Sequence, residues 1–391
     1  MNKRIKELKS YPMDRLVKAK ENLKKQGKKI YDFGTGDPKE PTDPKIREAI
    51  INAIPEVSQY PTVKGRKDLR EAISSWFMNR FHVFLDPEKE IIPTAGSKEA
   101  IFHFPLVFID TDSHKKKVIF GTPAYPVYER GTLFAGGEPY PIKLEYEEGF
   151  LLRLDKLPKS LLEETAIAWI NYPHNPTGAV APLSYLEETY GICQEFNIIL
   201  CSDECYTEIY FEKPPHSLLE VGKKGAVVFH SLSKRSGMTG YRSGFVAGDE
   251  EIIKTYLKYR SSFGVASQDF VQQAAKVAWS DEEHVEKRRE IFRKKRDLFL
   301  DFFKKIGMEF LYPEATFYFW VKLPEGIDGK TYALHLLEYG IVVSPGEFFG
   351  NGGEGFIRLA LVPTLEECKE AIRIWEKAHQ TFLEKVNANK G

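Results

Sequence analysis

One lysine stands among phosphate-binding groups in Ser231-Leu-Ser233-Lys234-Arg-Ser-Gly-Met-Thr-Gly240-Tyr-Arg242-Ser-Gly244, directly after the β-branched run Ala226 to His230. A lysine amine can form an imine with a carbonyl, and the hydroxyls and guanidinium beside it offer hydrogen bonds and charge to a phosphate dianion. The segment suits an aldehyde that carries a phosphate; a solvated loop is the bland reading of the same residues. Three further segments also follow apolar runs. Asp203-Glu204-Cys205-Tyr206 offers a carboxylate and a phenol three residues apart. Asn171-Tyr-Pro-His-Asn175-Pro-Thr-Gly178 fixes an amide at a proline-stiffened turn. Thr94-Ala-Gly96-Ser97-Lys98-Glu99 is a glycine turn opening into a helix, whose first backbone N–H groups can bind an anion. Taken singly, these are a helix cap, a tight loop and an N-cap. Coincidence explains poorly why an amine, an anion pocket, a carboxylate, a phenol and a fixed amide all follow strands of one sheet.

The elements that must position them alternate between strand and helix, the pattern of a largely parallel sheet covered by helices. Seven strands are predicted: Glu90 to Pro93, Lys117 to Phe120, Glu138 to Ile142, Ala166 to Asn171, Ile198 to Ser202, Ala226 to His230 and Arg242 to Ala247. Helices fall between them, such as Lys67 to Phe81, with Leu69, Ile73, Trp76 and Phe77 at helical spacing, and Leu183 to Phe196. Ligands of such sheets sit beyond the carboxyl ends of the strands. From Asp281 the texture changes: a charged helix to Ile306, strands Ala315 to Val321, Ile341 to Ser344 and Phe356 to Leu361, then a helix from Thr364 to Val386. Thr364 with Glu367 reads as its capping box, and 387–391 are expected to fray. The fold class is α/β: a mainly parallel seven-stranded sheet flanked by helices in a large domain, 45–280, and a smaller α+β domain from 1–44 and 281–391. The helix around Asp14 to Lys25 is expected to pack with the last one.

The chain has 391 residues, 42% hydrophobic and 13% aromatic, enough for an ample core. Lys plus Arg number 56 and so do Asp plus Glu, which removes the overall electrostatic case for nucleic acid as a partner. No apolar stretch reaches membrane-spanning length, and the charged start Met1-Asn-Lys-Arg lacks an apolar leader, so a cytoplasmic protein is expected. Cys193, Cys201, Cys205 and Cys368 have no spaced histidines to complete a metal set, so no metal is expected.

With these motifs, Asn171-x-Pro-x-Asn175-Pro-Thr-Gly178, Asp203-x-x-Tyr206 and Ser231-x-Ser233-Lys234 followed by Met238-Thr-Gly-x-Arg242-x-Gly244, the chain resembles the class I/II aminotransferases, fold-type I pyridoxal phosphate enzymes. The resemblance runs from the first helix to the last. It implies that Lys234 carries pyridoxal 5'-phosphate covalently, that Asp203 pairs with the pyridine nitrogen, and that Asn175 and Tyr206 bond the phenolic oxygen. Ser231, Ser233, Arg242 and the backbone at Gly96, Ser97 and Lys98 would hold the phosphate. Tyr125 would stack on the ring. Tyr60 matches the tyrosine that reaches the neighbouring subunit's phosphate, which implies a homodimer. Arg358 would grip the substrate α-carboxylate, with Gly36 and Asn175 closing the substrate site.

What the resemblance implies chemically is transfer of an amino group between an amino acid and a 2-oxo acid with ping-pong kinetics, Lys234 moving the proton and Asp203 keeping the ring cationic. A carbon–sulfur β-lyase on the same scaffold is the nearest alternative. A pyridoxal-binding transcription regulator needs a DNA-binding module, and only about thirty residues precede the first motif, too few for a domain. A nicotinamide dehydrogenase needs a third glycine that Gly34-Thr-Gly36 lacks, and Gly350 to Gly355 precedes a strand, reading as a mobile loop near Arg358. The opening Gly34-Thr-Gly36-Asp-Pro38-Lys-Glu-Pro is one residue longer than the common version. It looks most like members acting on diaminopimelate precursors, N-succinyl-diaminopimelate in particular, with glutamate as donor. Lys64, Arg66 or Arg260 would then meet a distal carboxylate.

Overall fold

The computed structural model describes residues 3–6, 8 and 13–388; the fraying expected at 387–391 lies, for 389–391, outside them. Seven strands form one sheet: β1 (Ile91–Thr94), β2 (Lys117–Thr122), β3 (Glu138–Lys143), β4 (Thr165–Ile170), β5 (Ile199–Asp203), β6 (Ala226–Ser231) and β7 (Gly244–Gly248). Their order is β1-β7-β6-β5-β4-β2-β3, and β7 runs antiparallel to both its neighbours while the other pairs are parallel. Strands β4 and β6 are buried along their whole length, as a sheet covered on both faces requires. Along β6, Ala226 and Val228 pack in one apolar cluster and Val227 and Phe229 in another, the two-residue alternation of a strand.

Each predicted strand exists, with shifts at the ends that matter for chemistry. Asp203 is the last residue of β5 rather than the first after it. The last strand starts at Gly244, not Arg242, because Arg242 takes a left-handed conformation (φ 53°) that breaks the extended run. The Lys67–Phe81 helix buries Leu69, Ile73, Trp76, Phe77 and Phe81 on one face, as its spacing predicts.

The C-terminal part builds an antiparallel sheet in the order Ser344–Pro345, Phe356–Ala360, Tyr318–Lys322, Glu309–Phe310. The strand predicted from Ala315 begins only at Tyr318, since Thr316 has φ 68°. The run predicted from Ile341 to Ser344 divides at Val343: Ile341–Val342 pairs in parallel with Tyr31–Asp32, and Ser344–Pro345 pairs with Ile357 and Arg358. Helices Glu283–Lys305 and Leu365–Ala388 cover this sheet, and Thr364 and Glu367 form the predicted capping box. Phe33 packs here, its ring 5.4 Å from Phe299 and 6.2 Å from Trp375. Lys29 and Tyr31 bond Glu370 on the last helix, so the chain's early part is fastened to its late part. Among the described residues, no helix is long and apolar enough to cross a membrane, and no cluster of three His, Cys, Asp or Glu could hold a metal.

Candidate active site

The carboxyl ends of β4, β5 and β6 lie side by side and open into a cavity of about 510 Å³. Lys234 enters it from the short helix Leu232–Arg235, which begins where Ser231 Oγ accepts the Ser233 N–H at 3.1 Å. The Lys234 amine donates to the Gly36 carbonyl. Burial pulls that amine down to about 8, with the charge of Asp37 opposing. About a tenth of it is then neutral at pH 7, against well under a thousandth for a solvated lysine.

Asp203 ends its strand with a buried carboxylate. Oδ2 accepts the Tyr128 hydroxyl at 2.7 Å and Oδ1 the Cys205 N–H at 3.3 Å. Burial pushes its pKa up, opposed by the bonds from Cys205 and Tyr128. A carboxylate with two donors has lone pairs left for a third, and a cationic N–H is the partner that a buried anion favours most.

Ser97, Lys98, Ser231, Ser233 and Arg242 line the other end of the cavity. Because β7 is antiparallel, the residue just before it lies at the same sheet edge as the residues just after β6, which brings Arg242 to Ser233 (Nη1 to Oγ, 3.4 Å). Gly96 caps the helix Ser97–Phe108 at φ 83°, and a Cβ there would collide with the Arg242 guanidinium. Glycine lets the cation sit against the helix start, so three serine hydroxyls, a guanidinium and the first turn of a helix border one part of the cavity, a donor set that suits a phosphate.

On the third side, Arg358 Nη1 donates to Asn175 Oδ1 (2.9 Å) and Nη2 to the Gly34 carbonyl (2.7 Å), leaving buried Nε without a partner among the described residues. Its guanidinium lies over Tyr318 and Phe349, 4.4 and 4.5 Å from the ring centroids. The Tyr206 and Tyr318 hydroxyls are 2.8 Å apart, and Asn171 accepts the Asn175 N–H at 3.0 Å. Tyr125 faces the same space.

All of the residues expected in the site line this cavity except two. Gly96 lies behind the wall, against Arg242. Tyr60 is fully exposed and lines no part of it. Sequence reasoning gave no role to Tyr128 or Tyr318; each is defined by a partner 75 or 112 residues away. Asp37, Cys205, Phe348 and Phe349 also join the wall. The cations expected to meet a distal carboxylate are placed otherwise. Arg260 is fully buried and bonded to Glu99 and Tyr256, Lys64 pairs with Glu88 at 2.6 Å, and Arg66 forks onto Asp68. None of the three lines the cavity.

A desolvated lysine and a buried carboxylate in one cavity, with hydroxyls and a guanidinium suited to a phosphate and a further buried arginine, match an enzyme that handles amino acids on a phosphorylated aldehyde. The chain belongs to the family described as aminotransferase class I and II, whose model matches residues 28–374. That family depends on pyridoxal phosphate, and the donors converging in this cavity fit it. The chain is 40% identical over 375 residues to the LL-diaminopimelate aminotransferase of Aquifex aeolicus (strain VF5), covering 94% of this chain and 96% of that one. An aminotransferase structure from Neisseria meningitidis Z2491 superposes with TM-score 0.90 at 33% identity, covering 97% of this chain and 100% of the other. A probable N-succinyldiaminopimelate aminotransferase from Thermus thermophilus gives TM-score 0.87 at 28% identity, with 94% and 99% covered.

Proposed function

We propose that this cavity exchanges an amino group between glutamate and the oxo acid corresponding to a diaminopimelate, in two half-reactions at one site. The observation that carries the reading is that the desolvated Lys234 amine and the buried Asp203 carboxylate line one cavity. Pyridoxal phosphate, when bound here, supplies the aldehyde that accepts the amino group and an electron-withdrawing ring that acidifies the substrate Cα–H. Asp203, held by Tyr128 and Cys205, keeps positive charge at the ring nitrogen. Ser231, Ser233, Arg242 and the Ser97 and Lys98 N–H groups hold the phosphate, Tyr125 covers the ring, and Asn175 and Tyr206 bond its oxygen. Lys234 would take the proton from the substrate Cα and return it two atoms along, to the carbon beyond the transferred nitrogen. Arg358 grips the α-carboxylate, and Gly36 covers the substrate with backbone.

The names of the relatives support the diaminopimelate assignment, the unsuccinylated form having the support at higher identity. One charge of the wall, Asp37, has no part in these roles. An anion there suits a substrate whose far end carries an ammonium group. We also propose a homodimer. Fully exposed Tyr60 follows exposed Ile51, Ile54 and Val57, a surface for a second copy in which Tyr60 reaches the partner's phosphate. The working division is 45–280 for the cofactor and 1–44 with 281–391 for the smaller domain.

A panel of amino donors with 2-oxoglutarate tests the reading. Glutamate formed fastest from LL-diaminopimelate supports it. Preference for a donor without a charged far end rejects the substrate, and release of pyruvate and ammonia from cystathionine without oxo-acid consumption rejects the reaction.

A further inference from the structure

The helix Glu283–Lys305 presents a single stripe to the site. His284 Nε2 bonds Ser236 Oγ at 2.8 Å, Arg288 lies against Gly237, Phe292 stacks on Phe317, and Lys295 pairs with Glu40. Ser236 and Gly237 belong to the turn immediately after Lys234, whereas Glu40 belongs to the strap 36–42 that carries Gly36 and Asp37 into the cavity. The helix thus touches both sides of the Lys234–Gly36 contact.

Two orphaned groups stand out on that stripe. Arg288 is buried, and none of its three nitrogens has a partner among the described residues. Glu40 Oε1 accepts from Lys295, and its Oε2 is buried without a partner among the described residues. Leaving a guanidinium and a carboxylate oxygen out of water and unbonded is costly for each. Burial opposes the charge of Arg288, and Glu40 is the charge that favours it. Gly237 joins the two sides: its carbonyl accepts the strap's Thr42 hydroxyl at 2.6 Å, and a Cβ on it, at φ 64°, would stand 2.5 Å from Arg288 Nη1.

We propose that Arg288 is a positioning residue: its guanidinium takes the second carboxylate oxygen of Glu40 as the 36–42 strap settles over a bound amino acid, holding Gly36 against the Lys234 turn. The pair couples occupancy of the substrate site to the placement of the lysine. This rests on amino transfer at the cavity, whichever amino acid is used.

The test uses holoenzyme, the best donor of the panel and single-turnover kinetics, with melting temperature and cofactor absorbance followed in parallel. Glu40→Gln and Arg288→Met each raise the donor KM by roughly 10-fold and slow the half-reaction, while the double variant is no worse than the poorer single one. Arg288→Lys recovers part of the loss, and the cofactor spectrum is unchanged throughout. Effects that multiply in the double variant, or a lowered melting temperature with unmoved KM, overturn the inference. Should Arg288→Met fail to fold, Glu40→Gln decides alone, because its amide oxygen still accepts Lys295; an unmoved KM then sinks the pair. An unaltered enzyme that transfers no amino group fails the amino-transfer reading itself, a result distinct from any of these.

Discussion

The cofactor wall and the substrate mouth of this cavity are built in opposite ways. The wall sits on the ends of β4, β5 and β6, and several of its groups are fastened to near neighbours, as Ser231 is to Ser233 and Asn171 to Asn175, while Tyr128 holds Asp203 from 75 positions away. The mouth is assembled from distant stretches: Arg358 meets Gly34 across 324 positions and Asn175 across 183. Thr35 and Asp37 on the strap are exposed, whereas Asp203, Ser231 and Ser233 are buried. On the roles proposed above, a sheet edge fixes the chemistry and a mixed, partly exposed rim chooses what undergoes it.

That contrast can be broken by substitution, and the largest effect belongs to the wall. Lys234→Ala is expected to lower turnover by roughly 10,000-fold for every donor and to remove the borohydride-sensitive visible band. Asp203→Asn should cost about 1,000-fold in kcat, again irrespective of donor, with weaker cofactor retention on gel filtration. On the mouth side, Arg358→Ala should cost about 100-fold in kcat/KM, most of it in KM, with the cofactor spectrum intact. If Asp203→Asn instead discriminated between donors, the division between wall and mouth would fail.

A smaller effect comes from pH. Imine formation needs the neutral amine, and burial has lowered the Lys234 pKa to about 8, so reconstitution of the apoenzyme should accelerate about tenfold per pH unit below 8 and level off above it. A rate still climbing toward pH 10 would show a solvated lysine. Smallest of all, Lys64→Ala removes an exposed ion pair and should leave both donor preference and stability within about twofold, read by the panel and by denaturant titration.

The same contrast decides what could be read from the residues alone. Lys234, Asp203, Asn175, Tyr206 and Arg242 stand in contiguous motifs after apolar runs, so their spacing carries their chemistry. The sheet was equally legible, since its inner strands, such as Thr165–Ile170 and Ala226–Ser231, are short buried runs rich in apolar residues. Tyr128 and Tyr318 were not, because their roles depend on which hydroxyl or carboxylate the fold brings near. Arg260 looked available as a cation, yet Glu99 had already claimed it. The division of Ile341 to Ser344 between two partners was invisible as well, because each half is apolar and strand-forming.

The Gly34 carbonyl accepts from Ser344 Oγ as well as from Arg358, and the Gly34 N–H is bound by Asp32. This residue is therefore pinned from both directions, so changing exposed Thr35 or Asp37 beyond it reshapes the rim of the cavity without loosening Arg358.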